Sequence, residues 1–274
     1  MSQRTTQIIL HSSGGVPCLR GDFHRNRQEP VLAVLGGRGK LGAKLVNHLV
    51  GRGQSVFSID LNTDCTCSDM DSDDLVASTQ EWHNQFTKLW SQLAEQAGVP
   101  QPLRALITAS RHSAQKNSPG AGSILREFDQ HLVAGLRAPL AAAVAGTPWM
   151  NSSLGGTIIF LSSVNAFTIS HQPMGYHSAH SAIVQAARYL NIHLPRYLDV
   201  YCLLIGVLRL APPYPDQQSR FNGVEAEEIF ETVDFLLKGG NRSLAGEPII
   251  LGSSRVNLDA TAVAQNRFGD LSYY

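Results

Sequence analysis

Charge is scarce in this chain. Only 16% of its 274 residues are Asp, Glu, Lys or Arg, and 22 basic side chains balance 22 acidic ones to a formal net charge of zero. Such a balance gives no electrostatic footprint for nucleic acid or a membrane surface, and neither partner is expected. Long apolar runs are missing too: none approaches the roughly 18 residues that a spanning helix needs. Cysteine is sparse and scattered, at Cys18, Cys65, Cys67 and Cys202. Cys65 and Cys67 form a Cys-x-Cys pair, but no second cluster completes a metal site. No metal is expected, and the thiols read as reduced, as in the cytoplasm. Neither an internal repeat nor a linker divides the chain. What is left is the profile of a single α/β domain with a large core.

The most informative stretch is Val31 to Gly42, Val-Leu-Ala-Val-Leu-Gly-Gly-Arg-Gly-Lys-Leu-Gly. Val31–Leu35 reads as a buried strand. Gly36, Gly37 and Gly39 allow a tight turn with close backbone approach, and Gly42 lets the next helix sit against the strand. Leu41, Leu45, Val46 and Leu49 then share one helical face. The N-terminus of that helix would aim its free N–H groups at a pyrophosphate. A second strand over 54–60 ends in Asp60, 24 residues beyond Gly36. A carboxylate there accepts from the adenosine ribose hydroxyls and repels a 2′-phosphate, so NADH is the expected cofactor. Arg38, inside the turn, keeps NADPH possible. The cofactor-binding candidates are Gly36, Gly37, Arg38, Gly39, Leu41, Gly42 and Asp60, joined by Ala109 at the end of the next apolar strand.

Beyond Asp60 the pattern alternates. Asp69 to Asp74 reads as a turn, and Trp82, Phe86, Leu89, Leu93 and Ala97 recur at helical spacing before Gly98-Val-Pro100 stops the helix. Strands are expected at 104–109, 157–161, 200–205 and 248–251, and helices at 123–147, 176–194 and 225–238. Residues 111–122 read as a loop near the cofactor. This β-α order means a doubly wound parallel sheet of Rossmann type, a three-layer α/β/α single domain, expected to hold seven strands. Residues 1–30 stand apart as a peripheral N-terminal extension, with residues 31–274 as the dinucleotide-binding domain. Arg4, Arg20, Arg25 and Arg27 sit among Ser, Thr, Gln and Gly, and the first acid is Asp22. That composition is compatible with mitochondrial targeting; the plainer alternative is a variable extension with a short strand at Gln7–Leu10.

Ser163 lies 13 residues before Tyr176 in Ser162-Ser163 and Gly175-Tyr176-His-Ser-Ala179-His180. At these residues the chain resembles the short-chain dehydrogenase/reductase family, whose Ser and Tyr polarise and protonate the group being reduced. Within it, the pattern is most similar to the dihydropteridine reductase branch. The shared features are Gly-Gly-Arg-Gly-x-Leu-Gly at 36–42, Ser58-Ile59-Asp60, Gly175, Tyr176, Ala179, Ala182 and Gln185, and the Gly246-Glu-Pro-Ile-Ile tail. The resemblance implies Ser163, Tyr176 and His180 as catalytic residues, with His180 also contacting cofactor. It implies a quinonoid dihydropterin or a similar conjugated imine or carbonyl as substrate, and a homodimer formed through the helices at 123–147 and 176–194.

The departures fall at the nicotinamide end. His180 stands where the family has Lys, Gly135 where it commonly has Asn, and Ser110 where a glycine closes the strand motif. Gly206-Val207 replaces Pro-Gly, and Ala211 replaces a Thr that contacts the carboxamide. A lysine is a permanent cation, whereas a histidine with an ordinary pKa near 6.5 is only partly charged at neutral pH. Tyr176 and His180, four apart, still share a helical face. Two functions therefore stay open: an NADH-dependent reductase, or a catalytically silent relative acting as a dinucleotide sensor or as a subunit of a larger assembly. His112 and His171 are placed by sequence near the substrate cleft.

Overall fold

The computed structural model describes residues 4–10, 19–25, 30–61, 79–110, 121–168, 172–206, 208–209, 224–240 and 242–252. Its elements run β1 (Arg4–Leu10), β2 (Leu19–Arg25), β3 (Val31–Leu35), α1 (Lys40–Gly51), β4 (Ser55–Leu61), α2 (Thr79–Ala97) and β5 (Leu103–Thr108). They continue as α3 (Ala121–Leu132), a π-helical turn (Val133–Arg137), α4 (Ala138–Gly146), β6 (Gly156–Ser163), α5 (Met174–His193) and β7 (Leu198–Ile205). The last are β8 (Leu208–Arg209), β9 (Val224–Glu225), α6 (Ala226–Leu237) and β10 (Pro248–Leu251).

Eight strands form the main sheet in the order β1-β2-β4-β3-β5-β6-β7-β10. From β4 to β10 every pairing is parallel, as crossover helices require. All five residues of β3 are buried, because a central parallel strand is covered on both faces. One face packs against α2, α4 and α5, with Phe57, Trp90, Phe160 and Val184 in its core. The other packs against α1 and α6, with Val34, Leu45, Tyr201 and Phe230. Aromatic rings thicken the first core: Trp82 stacks on Phe86 at 6.0 Å and Phe86 on Trp90 at 6.2 Å. His48 of α1 and Arg52, the residue that caps its C-terminus, both reach Asp234 of α6, at 3.1 and 3.0 Å, and tie the two helices of the second face together.

Three expectations are corrected. The sheet has eight strands, not seven, and the described parts of residues 1–30 belong to it. β1 and β2 pair antiparallel, and β2 pairs antiparallel with β4. Ile8, Leu10, Leu19 and Phe23 are buried in the core. The signal for β2 is its alternation: Leu19, Gly21 and Phe23 turn inward, Arg20, Asp22 and His24 outward. Gly21 disguises it, yet a side chain there could not fit, since a Cβ would lie 2.2 Å from the Phe57 ring. The helix expected at 123–147 starts earlier, at Ala121, and is interrupted by the π-helical turn. The turn at 69–74, most of the 111–122 loop, Cys18, Cys65, Cys67, His112, His171, Val207 and Ala211 lie outside the described residues. Among the described residues no helix is long and apolar enough to cross a membrane. Nor does any group of three or more His, Cys, Asp or Glu side chains there sit where it could hold a metal ion.

Candidate active site at the carboxyl edge of the sheet

Parallel strands end together. Leu35 pairs with Ile59 and Thr108, Thr108 with Phe160, and Ser163 with Ile205, so β3, β4, β5 and β6 all finish on one edge. That edge is where open α/β sheets bind ligands. Gly36 leaves β3 with φ +85°, a backbone conformation open to glycine, and a Cβ would sit 2.7–2.8 Å from the Ala109 and Ser110 backbone. Ala109 itself holds the turn, donating its N–H to Leu35 O at 2.7 Å. Helix α1 then crosses close by: a Cβ on Gly42 would lie 2.0 Å from Gly36 O, and one on Gly37 2.1 Å from Ser58 Oγ. Gly39 is the N-cap of α1 and brings no side-chain cap to the first N–H groups of the helix, the kind of terminus that can take an anion. Leu41 lies half-buried in that first turn. A bare backbone cradle at a helix N-terminus fits a pyrophosphate.

Asp60 closes the cradle. Its Oδ2 accepts the backbone N–H of Arg38. Burial pushes this carboxyl up from an ordinary 3.8 to about 6, and the charge of Asp22 pushes the same way. The Arg38 N–H and guanidinium pull it down, but less. Asp60 is therefore mostly ionised at neutral pH and is a hydrogen-bond acceptor. The edge hairpin adds what sequence reasoning missed: β2 sets Arg20 opposite Asp60 in register. Arg20 Nε is in turn held by both Asp22 oxygens, at 3.1 Å each.

At the other end of the edge, β6 runs into a short 3-10 turn (Val164–Ala166) and then α5. Ser163 is buried, and its Oγ accepts the Asn165 N–H at 3.2 Å, capping the turn. That turn is fastened to α5 by Ser181 Oγ donating to Ala166 O at 2.7 Å and by His177 Nδ1 at 3.0 Å from Asn165 O. Tyr176 occupies the first turn of α5 and is nearly buried. Its ring lies 4.2 Å from that of His180, so the expected Tyr–His pair is formed. The partner of His180 on β6 is Ser162 rather than Ser163: Ser162 Oγ is 2.9 Å from His180 Nδ1, and both residues are buried.

Two further histidines surround Tyr176. His177 stands at 6.2 Å and His131 of α3 at 5.8 Å, ring centre to ring centre. His131 gets there because α3 presses onto α5 at Gly175, where a Cβ would lie 2.7 Å from Phe128 Cα and 3.0 Å from His131 Cβ. The glycine before the tyrosine was the available signal for that contact. Two of the positions that depart from the family pattern have local contacts of their own. Gly135 lies in the π-helical turn, where a Cβ would come within 2.9 Å of Ala179 Cβ. Ser110 Oγ donates to Ala134 O at 2.8 Å, binding the strand end to that turn.

No family model and no curated protein matches this sequence. Solved structures do match. An apo SCOR enzyme from Clostridium thermocellum is 22% identical with a TM-score of 0.60, over 81% of this chain and 90% of that one. Aldohexose dehydrogenase of Thermoplasma acidophilum is 16% identical with a TM-score of 0.61, over 81% and 92%. A blue fluorescent protein from a metagenomic library, solved with NADPH, is 18% identical with a TM-score of 0.60, over 83% and 98%. The chain thus shares the fold of short-chain dehydrogenases and reductases, a mostly parallel sheet flanked by helices.

Proposed function

We propose that the protein is a reductase of the short-chain type that uses a nicotinamide dinucleotide, with NADH preferred. The observation that carries this reading is the gathering, on one sheet edge, of the bare glycine cradle, Asp60 and the buried Tyr176–His180 pair. Gly36, Gly37, Gly39 and Gly42 hold the pyrophosphate, with Leu41 packing in the same turn. Asp60 accepts from the adenosine ribose, and Arg38 flanks the adenine or a phosphate. Ala109 lines the passage toward the nicotinamide. When bound, the dinucleotide supplies the hydride. Tyr176 donates the proton, Ser163 orients the acceptor atom, and His180 supports Tyr176 and the nicotinamide ribose.

The substrate we propose is a quinonoid dihydropterin or a similar conjugated imine or carbonyl. Two things support it: the sequence pattern shared with dihydropteridine reductases, and the replacement of a fixed cation by histidine. An easily reduced acceptor asks less of the general acid than a ketone does. We also propose a homodimer through α3–α4 and α5, whose outer faces expose Val144, Tyr189 and Ile192. These helices border a cavity of about 820 Å³ lined by Leu140, Val144, Ala186 and Leu190.

The test is fluorescence titration with NADH and NADPH, then turnover of quinonoid dihydropterin by the parent and by Tyr176→Phe. Saturable binding and Tyr176-dependent oxidation of NADH support the reading. Tight binding without turnover of any acceptor assigns the protein instead as a silent dinucleotide sensor or assembly subunit, which the altered nicotinamide end would then explain. Absence of binding refutes both.

A further inference from the structure

Two serines end β6, and alternation separates their roles. Ile158 and Phe160 face the core beneath α5, so Ser162 turns to that side, while Ile159 and Ser163 belong to the other. Ser162 thereby meets His180 at 2.9 Å. From β7, the buried Cys202 thiol neighbours the same Ser162 hydroxyl: burial pushes the thiol up to about 12, so it keeps its proton, while the hydroxyl pulls it the other way, as a donor to sulfur does.

A neutral imidazole has one donor nitrogen and one acceptor nitrogen, and the partner of one nitrogen decides the state of the other. A serine hydroxyl has a single hydrogen to give. Of the two acceptors within its reach, thiol sulfur is weak and a bare imidazole nitrogen strong, so that hydrogen is directed to His180 Nδ1 at 2.9 Å rather than to Cys202. The opposite tautomer would leave the Ser162 hydrogen only the weak sulfur acceptor of Cys202 inside the core, a poorer pairing for a buried hydroxyl.

We propose that Ser162 is a positioning residue of this site. Its hydroxyl holds neutral His180 in the Nε2–H tautomer and makes it a hydrogen-bond donor toward Tyr176 and the ribose of bound dinucleotide. The inference rests on the reductase reading for the ribose contact, but not for the tautomer. It explains how a histidine does the work of a lysine without a charge: what the site needs from this position is an N–H, and Ser162 keeps one there.

The tautomer can be read without cofactor or substrate, from long-range 1H–15N correlations on full-length protein labelled in its histidine rings. His180→Gln identifies the resonance, and thermal melts confirm that each variant folds. The parent should show His180 as the Nε2–H tautomer, Ser162→Ala should mix or invert it, and Ser162→Thr, which keeps the hydroxyl, should restore it. NADH affinity should weaken by about 3- to 10-fold in Ser162→Ala, the effect of one misplaced hydrogen bond, and recover in Ser162→Thr. An Nδ1–H tautomer in the parent overturns the proposal. So does a Ser162→Ala protein whose tautomer and NADH affinity are both unchanged. A parent with the expected tautomer that binds neither NADH nor NADPH refutes the dinucleotide reading and, with it, the ribose contact.

Discussion

Cofactor choice should depend on pH, because one half-buried carboxyl decides it. Asp60 titrates at about 6, with burial as the main cause. A 2′-phosphate brought beside the ionised carboxylate meets a repulsion of about 4 kcal/mol per unit charge at 4 Å and a surface-like dielectric. Screening reduces this, yet binding to the ionised form stays strongly disfavoured, and an NADH preference of up to about 30-fold at pH 7.5 is expected. NADPH then binds chiefly the protonated form, which a group titrating at about 6 populates to roughly 3% at pH 7.5 and 90% at pH 5. NADPH affinity should therefore rise up to about 30-fold between those two pH values, while NADH affinity changes little. Asp60→Asn should abolish both the preference and its pH dependence. Stability gives an independent check of the sign. A carboxyl raised in the folded state contributes stability that is full below about 3.8 and lost as pH rises through about 6. Asp60→Asn should thus raise the melting temperature at pH 7.5 more than at pH 5. Isothermal titration with both dinucleotides at the two pH values measures the first effect and calorimetry the second. NADPH binding tighter than NADH at pH 7.5, or a preference flat between pH 5 and 7.5, refutes the reasoning and assigns selection to Arg38 or Arg20.

Gly42→Ala would place a methyl group 2.0 Å from Gly36 O, so dinucleotide binding should be lost in titrations while far-ultraviolet dichroism stays native. Tyr176→Phe should lower turnover by about 10²- to 10⁴-fold and leave the NADH dissociation constant within about two-fold, as steady-state kinetics and fluorescence titration would show. Phe23→Ala should destabilise the fold by about 3–5 kcal/mol in urea unfolding, because Phe23 is 3% exposed and packs edge-on against Phe57 at 6.3 Å. An effect below about 1 kcal/mol would show that the edge hairpin is dispensable.

The parallel part of the fold was legible because local and long-range demands agree there. A strand covered on both faces must be apolar throughout, so Val31–Leu35 could carry little else, and the glycines after it are required by backbone contacts rather than by propensity. The edge hairpin obeys different rules. β2 is covered on one face, so it carries Arg20, Asp22 and His24 on the other, and its middle inward position is a glycine beneath Phe57. Read alone, Leu-Arg-Gly-Asp-Phe-His-Arg has the composition of a loop. Only the partner strand shows why its apolar positions fall on every second residue.

The site divides in the same way. Motif spacing reaches groups that act along one element, and so Tyr176 and His180 were placed together correctly, one turn apart on α5. Spacing is blind to contacts between elements. It chose between Ser162 and Ser163 by distance from the tyrosine, whereas the partner of His180 is settled by which face of β6 points at α5. It passed over His131, which comes from a helix some 45 residues upstream and touches Tyr176 because Gly175 has no side chain. These cross-element contacts change the meaning of the substitution at His180. Considered on its own helix, a histidine in place of lysine is the loss of a cation. Considered with Ser162 behind it and Tyr176 before it, the same residue is a buried donor whose direction the sheet controls. Replacing Ser162 by Ala should therefore weaken NADH binding by about 3- to 10-fold although Ser162 is placed behind His180 and not against the cofactor, and no spacing rule would single it out.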